Sequence, residues 1–294
     1  MAIRPQTLTL AVVPVLVGTA LAWRDGTTID WSVFLVTLVS ALCIQAGTNL
    51  FNDASDGERG GDGPDRIGPR RVTGMGLARP GQVRRSAWLL FALAFVAGVY
   101  LVYIGGWPIL AIGIAALVAG WAYSGGPRPL SYTAWGEVFV IAFFGLSAVA
   151  GSYYLQRGQF STALPVVGLA LGLQAAAVLL LNNLRDNVSD RRAGRQTLVQ
   201  LMGTRPAYWL YGLLMLAPFP LLSMLLSPAG LGMAWLALPV CLWLVWRCSR
   251  LSPSHAMNAQ LGLTAMAQVL FGGLLTLTLL LSHNSALTAH AASL

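Results

Sequence analysis

Apolar residues along the chain fall into nine runs, at about residues 7–23, 31–51, 86–104, 108–123, 135–155, 164–181, 207–226, 230–246 and 259–282. Runs of this length suit helices that cross a hydrocarbon layer, which takes about 20 residues. The pattern predicts an all-α polytopic membrane protein with about nine transmembrane helices. Polar residues gather in two long segments, 52–85 and 182–206, behind the second and sixth runs. In the first, carboxylates and arginines alternate with Gly and Pro, so it reads as a folded binding loop. Arg4-Pro5 suits a helix start. Ala20-Leu21-Ala22 resembles a leader-cleavage site, but the many later spans favour a retained first helix.

Composition fits a bilayer setting. The 294 residues are 56% hydrophobic and 10% charged, against about 25% charged in soluble domains. Mean hydropathy is +0.68. The net charge of +8 comes from 18 arginines without a lysine. They cluster in loops beside apolar runs, which points to membrane topology and away from nucleic acid. The N-terminus and the loops after runs two, four, six and eight carry 16 of the 18 arginines. The positive-inside rule then predicts a cytoplasmic N-terminus, an outside C-terminus and both polar segments facing the cytoplasm. Cys43, Cys241 and Cys248 match no metal or redox spacing. His255, His283 and His290 are isolated, and the Asn187-Val188-Ser189 sequon reads as chance.

The two polar segments hold most of the ten acidic residues. Asp53, Asp56, Glu58 and Asp62 lie in the first, and Asp186 and Asp190 in the second. Carboxylates are costly near a bilayer core and mark function there. Asn52 and Asp56 are four residues apart, as are Asn182 and Asp186, with Asp190 four further on. This echo suggests a pseudo-repeat, residues 1–130 and 131–258, within one domain spanning 1–294. Two four-helix halves would face each other, with a ninth helix at 259–282.

Residues at i, i+4 and i+8 share a helix face. Asn182, Asp186 and Asp190 would form a stripe of oxygen donors, with Asn52 and Asp56 opposite. Such donors suit Mg²⁺, which keeps positions open for water and substrate phosphate. Arg59, Arg66, Arg70, Arg71, Arg185, Arg191, Arg192 and Arg195 lie beside the clusters and can fork onto phosphate oxygens. The same residues also read as carboxylate–arginine pairs of solvated loops. Spacing leaves both readings open. Elsewhere, Glu137 either favours a helix N-terminus or points inward. Tyr153 and Tyr154 read as anchors at headgroup level. Gly168 and Gly172 read as a close helix contact.

Five stretches resemble the UbiA superfamily of intramembrane aromatic prenyltransferases, and within it the 1,4-dihydroxy-2-naphthoate branch. They are Arg4-Pro5-Gln6-Thr7-Leu8 with residues 14–20; Asn52-Asp53-x-x-Asp56-x-x-x-Gly60-x-Asp62; Pro64-Asp65-Arg66-Ile67-Gly68-Pro69-x-Arg71; Gly151-Ser152-Tyr153-Tyr154-Leu155-Gln156; and Asn182-Asn183-x-Arg185-Asp186-x-x-x-Asp190-Arg191-x-x-Gly194-Arg195-x-Thr197-Leu198. The sequence departs from the superfamily at Gly60, where a third Asp is common, and at Arg195, where lysine is usual. The first departure leaves the role of Asp62 open.

The resemblance implies an enzyme of menaquinone biosynthesis in the bacterial cytoplasmic membrane. A polyprenyl diphosphate binds through Mg²⁺, its allylic C–O bond ionises, and the cation alkylates the naphthoate ring. CO₂ and diphosphate leave, giving demethylmenaquinol. It further implies Asn52, Asp56, Asn182, Asp186 and Asp190 as metal ligands. Asp56, Asp186, Asp190 and Tyr123 become catalytic candidates. Arg66, Arg71, Arg195, Asp53 and Asp62 become candidates for diphosphate or acceptor binding. Tyr123, before a Gly-Gly-Pro turn, either faces the allylic cation or orients the acceptor; the plainer reading is an interface anchor. The partners implied are the two substrates and membrane lipid, without an obligate protein partner. The alternatives are another acceptor (4-hydroxybenzoate, homogentisate or a haem vinyl group), a cation transporter, or a scaffold that has lost catalysis.

Overall fold

Seven helices among the described residues are long and apolar enough to cross a membrane. The computed structural model describes residues 4–59, 67–69, 71–127, 129–225 and 232–282. In chain order the helices are α1 (Pro5–Arg24), α2 (Trp31–Glu58), α3 (Pro80–Ala122), α4 (Gly136–Arg157), α5 (Leu164–Arg185), α6 (Thr204–Ser223), α7 (Ala234–Ser249) and α8 (Ala256–Leu281). The described residues contain no strand. The shorter α7 is the eighth apolar helix and falls outside the seven.

The difference from nine runs has two physical sources. The third and fourth runs are two helical stretches that follow each other without a loop and together make the 43-residue α3. They meet at a kink at Gly106, whose φ of 63° and ψ of −148° are non-helical and open to glycine, two residues before Pro108. The eighth run becomes the short α7.

The main core joins α1 to α4 through α8, around buried Leu21, Tyr153, Leu171, Leu181, Met215 and Phe271. α1 packs mainly on α8 and α4. α5 is the central wall, with 72% of its most apolar window buried, against 22% for α3. α2 and α3 pack on each other through Phe51, Ala54, Ala87 and Phe91. A small cluster of Val33, Leu101, Ile109 and Leu155 ties this pair to α4.

α4 and α5 touch closely because their contact is glycine. A Cβ on Gly145 would overlap the Gly168 carbonyl oxygen, and one on Gly172 would lie 2.9 Å from Ile141. The close-packing role expected for Gly168 and Gly172 is what the structure shows. α4 takes a π-helical turn over Ile141–Ser147 at this contact. Away from the acidic motifs, the end of α4 clamps the α1–α2 connection. Tyr153 donates to Asp25 at 2.8 Å, Arg157 donates to Thr27 at 2.9 Å, and Gln156 exchanges two bonds with the Asp30 backbone. Tyr153 is 1% exposed, so it is a buried clamp rather than a headgroup anchor.

Candidate active site

α2 runs beyond its apolar stretch to Glu58, so the first acidic motif sits on its last turns. Asp53 and Asp56 are buried there. Asp53 turns towards the loop ahead of α3. It accepts from the Val72 and Thr73 backbone N–H groups, each at 3.2 Å, and from the Thr73 hydroxyl at 2.7 Å. These bonds hold the chain just after Arg71. Arg71 in turn donates to the Asn52 backbone and side-chain oxygens, both at 2.7 Å, and pairs with Asp56.

The second motif closes α5. Asp186 N–H donates to the Asn182 carbonyl at 3.0 Å, and Asp190 N–H to the Asp186 carbonyl at 2.8 Å. Helical bonding therefore continues past Asp186 into the short helix Asn187–Arg192, which carries Asp190. Arg185 grips both Asp186 oxygens at 2.9 and 2.6 Å and also donates to Asn182 at 2.8 Å and Asn258 at 3.0 Å. Asn258 donates to the Ile67 carbonyl at 3.0 Å. Next to it Gly68 passes so near that a Cβ would lie 2.6 Å from the Arg185 guanidinium. The loop after the first motif is thus seated on the arginine of the second.

Arg195 joins the motifs directly. It donates to Asp56 at 2.5 Å and to Asp190 at 3.1 Å. Its guanidinium lies 4.8 Å from the Tyr132 ring centroid, and Arg59, just after the first motif, lies 5.1 Å from the same ring. Burial works against the Arg195 charge, but Asp56 and Asp190 outweigh it and hold the group above its ordinary pKa.

The cavity between the α2–α3 pair and the α4–α5 pair has a volume of about 430 Å³. Asn52, Arg71, Tyr123, Asn182, Asp186 and Arg195 line its polar part. The rest is mainly apolar, walled by residues such as Leu101, Val102, Ile112 and Phe144. Phe95, Val99 and Ile114 line it too and are more than half exposed, so the apolar part reaches the outer face of α3. The Tyr123 hydroxyl is pushed up to about 12, first by burial and then by the negative charge of Glu137. It therefore stays protonated at neutral pH.

Asn52, Asn182, Asp186, Arg71, Arg195 and Tyr123 thus reach the cavity wall. Asp56 and Asp190 join them through Arg195. Asp53 does not line the cavity. Asp62 and Arg66 lie outside the described residues. Sequence reasoning missed Tyr132 and Asn258, whose partners are distant in the chain. It also missed Asn183, which donates to Glu137 at 2.9 Å; the tandem Asn182-Asn183 was its only signal.

Among the described residues, no three His, Cys, Asp or Glu side chains come together as a metal-binding group. The carboxylates Asp56 and Asp190 instead share one guanidinium. That shared cation shows that the place between them accommodates positive charge. The neighbouring donors are carboxylate and amide oxygens, without nitrogen or sulfur ligands. This set fits a hard ion such as Mg²⁺.

A cavity with an arginine- and carboxylate-lined head and a mainly apolar remainder has the shape and chemistry that suit an amphiphile with an anionic head. The chain belongs to the UbiA prenyltransferase family, which it matches over residues 11–263. It is 39% identical to the 1,4-dihydroxy-2-naphthoate octaprenyltransferase of Escherichia coli (strain K12), over 68% of this chain and 67% of that one. It is 36% identical to the enzyme of the same name from Mycobacterium tuberculosis, over 81% of this chain and 82% of the relative. The fold is similar to that of a UbiA homolog from Archaeoglobus fulgidus bound to DMAPP and Mg²⁺, with TM-score 0.66 and 14% identity, covering 94% of this chain and 97% of that one. It is similar also to a UbiA homolog from Aeropyrum pernix K1, with TM-score 0.69 and 14% identity, covering 92% and 97%.

Proposed function

We propose that this chain is a prenyltransferase that moves a polyprenyl group from its diphosphate to 1,4-dihydroxy-2-naphthoate. Carbon dioxide and diphosphate are lost, and demethylmenaquinol forms. The relatives' shared name supports the acceptor. The single observation that carries the chemistry is the Arg195 bridge between Asp56 and Asp190, at the polar part of a cavity that is otherwise mainly apolar.

Asn52, Asp56, Asn182, Asp186 and Asp190 are the residues that would hold Mg²⁺. The bound ion supplies charge neutralisation for the departing diphosphate. Arg71 and Arg195 contact phosphate oxygens through their planar forks. Stabilising the leaving group in this way lets the allylic C–O bond break, its electron pair going to the diphosphate. The apolar walls keep water from the allylic cation and hold the tail, which leaves the cavity beside Phe95 and Val99. A ring carbon of the acceptor then bonds to the allylic carbon, and the carboxylate departs as CO₂. Tyr123, protonated throughout, offers its ring to the cation and its hydroxyl to the acceptor. The excess of arginine on one side supports a site facing the cytoplasm, in a bacterial cytoplasmic membrane.

The test supplies membranes holding the protein with labelled polyprenyl diphosphate, Mg²⁺ and each candidate acceptor in turn. Prenylated lipid and CO₂ are expected from dihydroxynaphthoate. Product from 4-hydroxybenzoate alone would reject this acceptor, and a lack of product with every acceptor would reject transfer altogether.

A further inference from the structure

Glu137 is the buried acid that the acidic motifs leave unexplained. It sits in the first turn of α4, where a negative charge suits the helix N-terminus. That role needs no burial, yet Glu137 is 4% exposed. One oxygen accepts from Asn183 Nδ2 at 2.9 Å. The other, Oε2, is buried and has no hydrogen-bond partner among the described residues. A carboxylate held this way is costly, and a glutamine would accept the same bond from Asn183 at lower cost. An acid kept at this buried place therefore points to a task beyond bridging α4 and α5.

That task follows from Asn183. An amide can present either its oxygen or its NH₂ group, and only its partners decide which. An ionised carboxylate accepts and cannot donate. Asn183 turns its NH₂ to Glu137, so the oxygen is what it can offer elsewhere. Asn183 lines the cavity next to Asn182, in the same polar part as Tyr123. Further along the same two helices, the glycine contact holds α4 against α5.

We propose that Glu137 is a positioning residue for the aromatic acceptor: it locks the Asn183 amide so that its oxygen receives a hydroxyl of the acceptor ring. This deepens the prenyltransferase reading and rests on it. The amide oxygen accepts and Tyr123 donates, which together select a ring that carries both a hydroxyl donor and an acceptor oxygen. Neither Glu137 nor Asn183 is among the residues assigned to Mg²⁺ or to the diphosphate, so the effect belongs to the acceptor.

The experiment measures KM for each substrate in membranes containing wild type, Glu137→Gln, Asn183→Leu, and Glu137→Gln combined with Asn183→Asp. Glutamine keeps the bond to Asn183 but lets the amide flip. KM for the acceptor should rise about tenfold in Glu137→Gln and in Asn183→Leu, while KM for the prenyl diphosphate stays within about twofold. In the double variant, the glutamine introduced at position 137 donates to the carboxylate introduced at position 183, whose second oxygen again faces the acceptor. Its acceptor KM should return to within about threefold of wild type. Equal shifts in both KM values, no shift in either single variant, or a double variant as poor as Glu137→Gln would overturn the proposal. If Glu137→Gln fails to accumulate, the same KM split in Asn183→Leu decides. Wild type without any product would instead reject the prenyltransferase reading itself.

Discussion

The two acidic motifs share their spacing but not their surroundings. The second closes α5, of which 72% of the most apolar window is buried, while the first closes α2, where the figure is 39%. Asp186 takes its arginine from the adjacent residue. Asp56 draws its arginines from far along the chain, Arg71 and Arg195. Asp53, which has no counterpart in the second motif, faces away from the cavity and holds the loop at Val72 and Thr73. The α5 motif is therefore a fixed wall, and the α2 motif is assembled onto it by arginines. One of these, Arg195, belongs to the tail of the second motif. Equal spacing in sequence has become a division of labour in space.

The largest effect expected is on the two carboxylates that share Arg195. Asp56→Asn and Asp190→Asn keep shape and remove charge, so each should lower turnover at least about 100-fold, the scale for losing one preorganised electrostatic group. Because both act on one charge cluster, the double variant should be little worse than either single one. Labelled-prenyl transfer in membranes, normalised to inserted protein, measures this. A variant keeping more than a tenth of wild-type turnover would separate the motifs and break the bridge model.

Arg195→Lys should come next. Lysine keeps the charge but is a point donor without the planar fork, so it cannot span Asp56 and Asp190 as the guanidinium does. A fall in kcat/KM for the prenyl diphosphate of about tenfold to thirtyfold is expected, equivalent to about 1.4–2 kcal/mol. Unchanged kinetics would mean that charge alone matters at this position and that the bridge is incidental.

Much of this comparison was legible beforehand, and the rest had physical reasons to be hidden. Helical spacing placed Asn182, Asp186 and Asp190 on one face because intrahelical geometry is local. The same locality revealed the close approach at Gly168 and Gly172. It could not choose among eight flanking arginines, since Arg71 and Arg195 are selected by what they reach across the bundle. Asp53 looked like Asp56 because its partner Thr73 is twenty residues away, in a loop without periodicity. Tyr132 gave no signal, because a lone aromatic between turns has no pattern. The apolar runs at 86–104 and 108–123 marked two helical stretches but not how closely they join: Gly106, two residues before Pro108, breaks the helical geometry at a kink that has no loop. Tyr153 read as an interface anchor from its place near a helix end, whereas its hydroxyl is engaged with Asp25.

The smallest effect expected is the one that separates Asp53 from its neighbours. Asp53→Asn replaces a carboxylate that accepts from two backbone N–H groups and one hydroxyl with an amide that has one acceptor oxygen. Each lost bond is worth about 0.5–1.5 kcal/mol, more where a charge is involved. Loosening residues 72–73 also relaxes Arg71 beside them. The variant should unfold a few degrees lower and keep more than about a third of its turnover, with a modest rise in KM for the prenyl diphosphate. Thr73→Val should reproduce the stability loss, since it removes the hydroxyl from the same anchor. Asp186→Asn, which removes a charge at the cavity wall, should lose far more activity than either. If Asp53→Asn instead matched the hundredfold losses of Asp56→Asn, the anchor reading would fail. The first motif would then act through both of its aspartates, and the contrast with the α5 motif would disappear.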